Sequence, residues 1–293
     1  MKAFEYVRPS TLEEAFRYLA ESGGGVRPLA GGTDLLVQIR HDRSQPKALL
    51  SLRDLADLSF VRQEADGGLV MGSMTELAAI ENSPDVLRDF PAIAEAASLV
   101  GSVQVRNRAT LGGNLCNAAP SADMIPILIA YGATATITDG HVERAVALED
   151  FFTGPGKTVL AGGELLKQVS VPGPRKASFA KYLKAFRSAM DIAIVGVAVK
   201  ADFDAATGVC QDLKLVLGAV APTVIRAKVA EKMALGRKLD AELIGAMSRA
   251  AADEAKPISD VRSSADYRKT MVAVLSRRAL DAARTWAEKG GLG

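Results

Sequence analysis

The sequence Thr110-Leu111-Gly112-Gly113-Asn114 continues as Leu115-Cys116-Asn117-Ala118-Ala119-Pro120-Ser121-Ala122-Asp123, and a similar glycine pair occurs earlier, in Ala30-Gly31-Gly32-Thr33-Asp34. We call residues 30–34 the first glycine segment and residues 110–114 the second. Glycine within a helix or strand costs roughly 0.5–1 kcal/mol relative to alanine, so paired glycines need a backbone reason. Close approach of a bulky anion to main-chain N–H groups is one such reason, and each such bond contributes about 1.5–3 kcal/mol. Two such segments predict a site for the diphosphate of a dinucleotide.

Composition excludes several classes of function. The 293 residues carry 36 Lys and Arg against 34 Asp and Glu, and a net charge of +2 does not favour nucleic acid or membranes as partners. The two cysteines, Cys116 and Cys210, exclude a disulfide framework and are too few to ligate an iron–sulfur cluster alone. Two histidines make a metal site on this chain unexpected. The start of the chain lacks the apolar run of a signal peptide, and no window suits a membrane span, so we expect a cytoplasmic protein.

The first part of the chain predicts alternating strands and helices. A strand at 26–30, expected to be buried, leads into the first glycine segment and then a helix at 34–40, which is the usual context of an anion site. Residues 133–138 and 142–148 predict a hairpin around the turn Asp139-Gly140. Ser10-Thr11-Leu12-Glu13 predicts a capping box at the start of a helix.

From residue 167 onward the pattern changes. Strands are predicted at 179–186, 192–201 and 209–220, followed by helices at 225–235, 241–254 and 267–286. We therefore place a boundary near residues 172–176, which divides the chain into a domain of residues 1–174 and a smaller one of residues 175–288. Residues 289–293 are expected to fray.

Three familiar motifs are set aside. Gly154-Pro155-Gly156-Lys157-Thr158 looks like the end of a phosphate-binding loop, but that motif requires a glycine where Phe151 stands, so a surface turn explains it better. A Rossmann NAD site is disfavoured because no G-x-G-x-x-G follows a strand. A serine hydrolase is disfavoured because no G-x-S-x-G occurs.

The chain resembles the FAD-binding medium subunit of molybdenum hydroxylases, the superfamily of xanthine dehydrogenase and carbon monoxide dehydrogenase. The resemblance covers nearly the whole chain. It rests on Ala30-Gly31-Gly32-Thr33-Asp34-Leu35-Leu36, on Arg106-Asn107-Arg108-Ala109-Thr110-Leu111-Gly112-Gly113-Asn114-Leu115 with the trailing Ala119-Pro120-Ser121-Ala122-Asp123, and on Phe186-Arg187-Ser188-Ala189-Met190-Asp191-Ile192-Ala193.

This resemblance implies an α+β fold. An FAD-binding domain of two α/β subdomains would occupy residues 1–174, and a C-terminal flavoprotein domain with a three-stranded antiparallel sheet and helices would occupy residues 175–288. The pyrophosphate of FAD would lie between the glycine segments, Asp123 would accept a hydrogen bond from a cofactor hydroxyl, and Lys184 would approach the flavin. The residues implied to bind FAD are Arg27, Pro28, Leu29, Ala30, Gly31, Gly32, Thr33, Asp34, Leu35, Gly101, Val105, Ala109, Thr110, Gly112, Gly113, Asn114, Cys116, Asn117, Asp123, Leu166 and Lys184.

The function implied by the resemblance is electron transfer within a larger oxidoreductase. The chain would carry FAD and pass electrons from 2Fe-2S clusters on a small iron–sulfur subunit to an external acceptor. Substrate would be oxidised at a molybdopterin cofactor on a large subunit, in a dimer of heterotrimers (a heterohexamer). No catalytic acid or base and no metal ligand is expected on this chain. Two alternatives stay open: a self-contained FAD-dependent reductase or oxidase, and a scaffold subunit whose glycine segments are empty turns.

Overall fold

The computed structural model describes residues 2–289, so most of the tail predicted to fray lies outside the described residues. The helices are α1 (Leu12–Glu21), α2 (Leu35–Arg40), α3 (Leu77–Glu81), α4 (Pro84–Asp89), α5 (Pro91–Ser98), α6 (Val103–Arg106), α7 (Leu111–Cys116), α8 (Met124–Tyr131), α9 (Lys228–Ala234), α10 (Ala241–Glu254) and α11 (Ala265–Glu288). Short 3-10 turns occur at Ala56–Leu58 and Leu148–Asp150. None of the described helices is long and apolar enough to cross a membrane.

The strands complete a mixed α+β architecture, as the fold class predicts. They are β1 (Glu5–Val7), β2 (Val26–Leu29), β3 (Ala48–Ser51), β4 (Val61–Gln63), β5 (Leu69–Gly72), β6 (Thr134–Thr138), β7 (Glu143–Ala147), β8 (Phe152–Gly154), β9 (Lys157–Thr158), β10 (Leu165–Val171), β11 (Ser178–Ala185), β12 (Val195–Phe203), β13 (Cys210–Gly218) and β14 (Ile225–Arg226).

The first sheet is parallel, in the order β1-β3-β2. Its central strand β3 is buried along its whole length. Strand β2 lies at the edge of the sheet. Proline lacks a backbone N–H, and Pro28 is tolerated here because one side of an edge strand has no neighbouring strand to bond. The predicted burial of this strand is wrong, because Arg27 and Pro28 are exposed and the strand ends at Leu29. The edge position leaves β2 and the glycines that follow it free to form the wall of a cavity.

The second sheet is antiparallel, in the order β4-β5-β10-β6-β7. The predicted hairpin is confirmed: β6 pairs with β7, and Asp139 Oδ1 accepts from the backbone N–H groups of His141 and Val142 in the turn. Polar side chains that bond to their own turn backbone stabilise tight connections of this kind.

The third sheet is antiparallel, in the order β11-β12-β13-β14, and α10 and α11 pack against it around a second core. Three of its strands are predicted from the sequence, but the fourth, β14, occupies the start of the helix predicted at 225–235. Ile225 pairs with Leu217, and the Ala227 N–H donates to the Leu215 carbonyl at 2.8 Å, so α9 begins only at Lys228.

Helix α8 connects these units. All eight of its residues are buried, and it packs against α5 on one side and against β12 and β13 of the third sheet on the other. It ends at Gly132, whose φ of 77° is the left-handed conformation that glycine adopts readily at helix ends. The residue before its first turn is Asp123, so the position of α8 fixes the end of the predicted cofactor motif.

The capping box of α1 lies one residue later than predicted. Thr11 caps the helix by accepting from the Glu14 N–H at 3.2 Å, and Glu14 Oε2 accepts in return from the Ser10 N–H at 2.7 Å. The bond to Thr11 satisfies an N–H group that the first turn leaves without a partner, and the bond from Ser10 fixes the residue before the cap against the helix.

Candidate functional site

A cavity of about 880 Å³ lies where the two glycine segments meet. This volume falls in the upper part of the range of about 300–1,000 Å³ that is usual for ligand pockets. All the residues predicted to bind the cofactor line this cavity except Leu29 and Lys184. The structure therefore brings together around one cavity residues from widely separated parts of the sequence that the family resemblance implies for the cofactor site.

The first glycine segment offers free backbone donors. The N–H groups of Gly32, Thr33, Asp34 and Leu35 have no backbone acceptor within residues 2–289, and all four residues line the cavity. Gly32 has a φ of 77°, a conformation that a residue with a side chain adopts only with strain. Clustered free N–H groups of this kind form a concave site for an anion.

The Asp34 side chain stands beside these donors without capping α2. It makes no hydrogen bond to the first turn of the helix, and burial raises the pKa of its carboxyl. A carboxylate here repels a neighbouring anion, so Asp34 suits a role as acceptor for hydroxyl groups better than one as a phosphate ligand.

The second glycine segment differs from the expectation that its N–H groups face the anion. Its residues 111–114 form the first turn of the short helix α7, capped by Thr110, whose hydroxyl oxygen accepts from the Gly113 N–H at 3.0 Å. The Gly112 N–H donates to the Ser73 carbonyl at 2.7 Å, and the Asn114 N–H donates to the Thr110 carbonyl at 3.0 Å. These donors are used within the protein, so the second segment contributes shape and side chains rather than free amides.

Close packing explains two of the four glycines. A Cβ on Gly112 would lie 2.7 Å from the Ser73 carbonyl oxygen, and a Cβ on Gly31 would lie 2.7 Å from the Arg108 carbonyl carbon. Gly31 thus lies directly against the backbone of the turn that precedes the second segment, and Gly112 lies directly against the backbone at Ser73. Glycine is needed at both positions by the protein itself, before any ligand is considered.

An unsatisfied polar atom marks the cavity wall. Asn114 Oδ1 is buried, and it has no hydrogen-bond partner within the described residues. Asn114 lines the cavity next to Asn117, whose Oδ1 accepts from Gln38 Nε2 at 3.2 Å. Buried polar atoms are nearly always paired in native proteins, so an unpaired one at a cavity indicates a missing polar ligand or water.

Cys116 supplies an apolar part of the same wall. Burial raises the pKa of its thiol to about 12, so it stays protonated and packs as a small hydrophobic group. Within the described residues no group of three potential ligands could hold a metal ion.

Asp123 lies at the far end of the motif, in contact with two side chains of β11. Tyr182 donates its hydroxyl hydrogen to Asp123 Oδ1 at 2.8 Å, and Lys184 Nζ donates to Asp123 Oδ2 at 2.9 Å and to the Leu99 carbonyl at 3.0 Å. Lys184 is not among the residues that line the cavity, although its partner Asp123 is, and its approach to the flavin stays a prediction. Its ammonium group is directed at a protein carboxylate and a carbonyl.

Several wall residues are absent from the predicted set, among them residues 160–165, and two further groups come from the β8–β9 hairpin and from the motif at 186–193. Gly156, Lys157 and Thr158 line the cavity, because the Gly156 N–H donates to the Ala118 carbonyl at 3.0 Å and fastens the β8–β9 hairpin beside the second segment. The predicted surface turn is confirmed, because Pro155 and Gly156 form the exposed turn of this hairpin, but the hairpin also lines the cavity. Met190, Asp191 and Ile192 form the other group. They belong to the motif 186–193, which carried the family resemblance and could have indicated them.

These features fit FAD. The free N–H cluster suits a diphosphate, the unpaired Asn114 oxygen and Asp123 suit hydroxyl and amide groups, and the volume accommodates a large cofactor. The class of protein defined by this fold and site is an FAD-binding oxidoreductase subunit.

Comparison with known proteins identifies the family. Residues 2–174 match the protein-family model for the FAD binding domain in molybdopterin dehydrogenase. Residues 180–283 match the protein-family model for the CO dehydrogenase flavoprotein C-terminal domain. The chain belongs to this family.

Its relatives cover almost the whole chain. A putative xanthine dehydrogenase FAD-binding subunit of Escherichia coli is 33% identical over 280 residues, with 95% of each chain covered. The carbon monoxide dehydrogenase medium chain of Afipia carboxidovorans is 32% identical, with 98% of each covered. Among solved structures, carbon monoxide dehydrogenase from Hydrogenophaga pseudoflava matches with a TM-score of 0.93 at 32% identity, covering 97% of this chain and 98% of that one. The relatives are named as chains or subunits of dehydrogenases, which agrees with a subunit role.

Proposed function

We propose that this chain is the electron-transfer subunit of a molybdenum-containing hydroxylase. It receives electrons from 2Fe-2S clusters of a partner subunit and delivers them to an external acceptor through FAD held in the cavity. FAD supplies the redox chemistry when bound, and the protein supplies binding, orientation and electrostatics. No acid–base step is assigned to this chain.

The observation that carries this proposal is the cluster of free N–H groups at Gly32, Thr33, Asp34 and Leu35 on the cavity wall. Hydrogen bonds from neutral donors to a charged acceptor contribute about 1.5–3 kcal/mol each, so this cluster can hold a diphosphate without a lysine. We assign the diphosphate to the first glycine segment.

The remaining contacts with FAD are assigned from the positions of the side chains on the cavity wall. Asn114, Asn117 and Asp123 provide polar groups for the sugar or ring edges. Cys116, Val105 and Leu166 provide apolar surface. The proposed domain division follows the same logic: residues 1–174 form the FAD-binding domain, and residues 175–288 form a C-terminal domain that adds Met190, Asp191 and Ile192 to the wall.

Partner chains are part of the proposal. Cys116 and Cys210 are the only cysteines in the sequence, and both are free thiols. Two cysteines are too few to ligate an iron–sulfur cluster, so we propose a small iron–sulfur subunit; membership of the molybdopterin dehydrogenase family supports a large molybdopterin subunit as the second partner. A dimer of heterotrimers is the expected assembly, and the cytoplasm stays the predicted compartment.

The test is an absorbance spectrum of the chain purified alone and then with its co-purifying partners. We expect flavin bands on the chain, joined by iron–sulfur absorbance and bound molybdenum only in the complex. A chain that takes up no FAD, alone or assembled, would contradict the proposal. Turnover of an organic substrate by the isolated flavin-loaded chain would favour a self-contained reductase or oxidase instead.

A further inference from the structure

Helix α3 lies behind the cavity wall and is bonded to it at both ends. At its start, the Leu77 N–H donates to the Ala109 carbonyl at 2.9 Å. At its last residue, Glu81 accepts from Arg106 through both carboxylate oxygens, at 2.7 Å from Nε and at 3.3 Å from Nη2. Ala109 lines the cavity, whereas Leu77, Glu81 and Arg106 do not. The helix thus supports from outside a wall that a cofactor would contact from inside.

Arg106 also reaches a second part of the wall, residues 99–102, which we call the wall turn. Its Nη1 donates to the Val100 carbonyl at 3.3 Å. Val100 and Gly101 line the cavity together with Val105, and a Cβ on Gly101 would lie 3.0 Å from Val105 Cγ1. Gly101 has a φ of 53°, a conformation that few other residues adopt without strain. One guanidinium group therefore connects α3 with the wall turn.

The shape of the arginine side chain explains how it makes both contacts. The Arg106 side chain is 10% exposed and that of Glu81 is 24% exposed, so the ion pair is shielded from most of the solvent. A guanidinium group presents its donors in a fixed planar fork, and here the fork bonds a carboxylate and a carbonyl together. An ammonium group is a compact point charge without this fork. Arginine is therefore needed to hold both acceptors at once.

The wall turn adjoins the open end of the cavity. Its Leu99 carbonyl accepts from Lys184 of β11 at 3.0 Å, and β11 leads into the wall residues Met190 and Ile192. Met190 is 67% exposed and Ile192 is 43% exposed, so the rim of the cavity lies at the protein surface here. A flavin that takes electrons from a partner and gives them to an external acceptor has to present its ring at an accessible end. We therefore place the flavin ring beside the wall turn.

We propose that Arg106 is a positioning residue for the flavin half of FAD: by bonding Glu81 and the Val100 carbonyl together, it sets the distance between α3 and the wall turn. This inference rests on the proposed function, because it takes FAD as the occupant of the cavity. Arg106 acts through the wall turn and does not itself line the cavity. The backbone that contacts Gly31 does not depend on this pair, because α3 holds Ala109 separately at its other end.

The test compares Arg106→Lys with the wild type, each as the full chain. Two quantities are measured: the dissociation constant of FAD, by titration of the flavin-free chain, and the visible circular dichroism spectrum of the bound flavin at saturating FAD.

Lysine in place of Arg106 keeps a positive charge opposite Glu81 but loses the bond to the Val100 carbonyl. We expect FAD to bind about tenfold more weakly to this variant, as the loss of a hydrogen bond that shapes the site would give. We also expect the visible spectrum of the bound flavin to change, because the ring then lies against a displaced turn.

Two further variants separate this role from general stability. Arg226→Lys is the matched control: Arg226 also forms a bidentate pair, with Glu231 at 3.0 Å and 2.7 Å, and neither residue lines the cavity. This variant should lose stability in thermal unfolding as Arg106→Lys does, but it should bind FAD with the wild-type affinity and visible spectrum. Glu81→Gln keeps a hydrogen-bonding partner of the same shape for Arg106 and removes only the charge. It should weaken FAD binding about threefold with a smaller spectral change, and it takes the place of Arg106→Lys if that variant does not fold.

The outcomes distinguish the two proposals. A wild-type chain that binds no FAD contradicts the proposed function and the role of Arg106 with it. Wild-type binding together with an unchanged affinity of Arg106→Lys contradicts the positioning role alone. Weaker binding without a change in the visible spectrum also contradicts it, because a contact that only stabilises the fold would give that result. A spectral change in Arg226→Lys as large as that in Arg106→Lys contradicts it for the same reason.

Discussion

The carbonyl group of Arg108 occupies the space that a side chain on Gly31 would need. A Cβ added to Gly31 would lie 2.7 Å from the Arg108 carbonyl carbon and 2.9 Å from the Ala109 Cα, and it would overlap the Arg108 carbonyl oxygen. Two distant parts of the chain are thus in direct backbone contact at the cofactor cavity. The conformation of the first glycine segment therefore depends on the turn that precedes the second.

Gly31→Ala should separate the two segments. Because the clash is with backbone rather than with a flexible side chain, relief requires a shift of the main chain, and the free energy of unfolding should fall by about 1–3 kcal/mol. FAD retention should be lost, since the N–H groups of Gly32 to Leu35 move with the segment. Thermal unfolding by circular dichroism and the flavin content of the purified chain measure both effects.

The control for this change is Gly162→Ala. Gly162 also lines the cavity, but no atom lies within 4 Å of the position that its Cβ would take. The Gly162→Ala variant should unfold at the same temperature as the wild type. If Gly31→Ala were equally stable and retained flavin, the backbone contact would not be the constraint that we describe.

Thr110→Val should destabilise the start of α7. The valine has nearly the same shape but cannot accept from the Gly113 N–H, and loss of a helix N-cap costs about 1 kcal/mol. The first turn of α7 forms part of the cavity wall, so FAD should also bind more weakly. Thr110→Ser keeps the hydroxyl and should behave like the wild type in denaturant unfolding and FAD titration. A loss in Thr110→Ser without a matching loss in Thr110→Val would assign the effect to the methyl group instead.

Local signals in the sequence predict much of the fold. The helix after the first glycine segment and the β6–β7 hairpin are set by neighbouring residues: apolar spacing in one case and the Asp139-Gly140 turn in the other. Helix α9 is predicted to begin three residues too early, because the pairing of Ile225 with Leu217 is a tertiary contact. Such pairing overrides local helix propensity and leaves no trace in the nearby sequence.

The candidate site, like the fold, has features that the sequence predicts and features that it does not. The two glycine segments are recognisable from composition, and the structure brings them together at one cavity. The use of Gly112 and Gly113 N–H groups within the protein depends on Ser73 and on the capping hydroxyl of Thr110, which spacing alone does not reveal. The β8–β9 hairpin reaches the cavity through a single bond from Gly156 to Ala118, a contact with no sequence signature.

Asp260→Asn should lower stability in a pH-dependent manner. Asp260 Oδ1 accepts from the Arg262 N–H and from Arg268 Nη2, each at 2.9 Å, and these contacts lower the pKa of its carboxyl to about 2. In the unfolded chain an aspartate titrates near about 3.9. The stabilisation is therefore complete above about pH 4 and is lost as the pH falls towards 2.

The measurement is urea unfolding of the wild type and Asp260→Asn from pH 7 to pH 2.5. The difference in unfolding free energy should be about 1–2 kcal/mol at pH 7 and should shrink below pH 4. Arg268 also donates to the Ile194 carbonyl at 2.6 Å, close to the cavity residues 190–192, and FAD binding of both proteins is compared at pH 7 without urea. Asp253→Asn, an exposed change in α10, serves as the control. A difference that stays constant down to pH 2.5 would contradict the assigned cause.

Both thiols should be almost unreactive in the native chain. Burial raises the pKa of Cys116 and of Cys210 to about 12, so at pH 8 only about one thiol in 10⁴ is ionised. N-ethylmaleimide at pH 8 should therefore label neither cysteine in the folded, FAD-loaded protein and both in the denatured protein, as read by intact mass. Removing FAD should speed labelling at Cys116, which lines the cavity, and leave Cys210 unchanged, because Cys210 lies in the core of the third sheet. Cys210→Ala assigns the signal to Cys116, and labelling of Cys116 that FAD does not slow would contradict its place in the cofactor cavity.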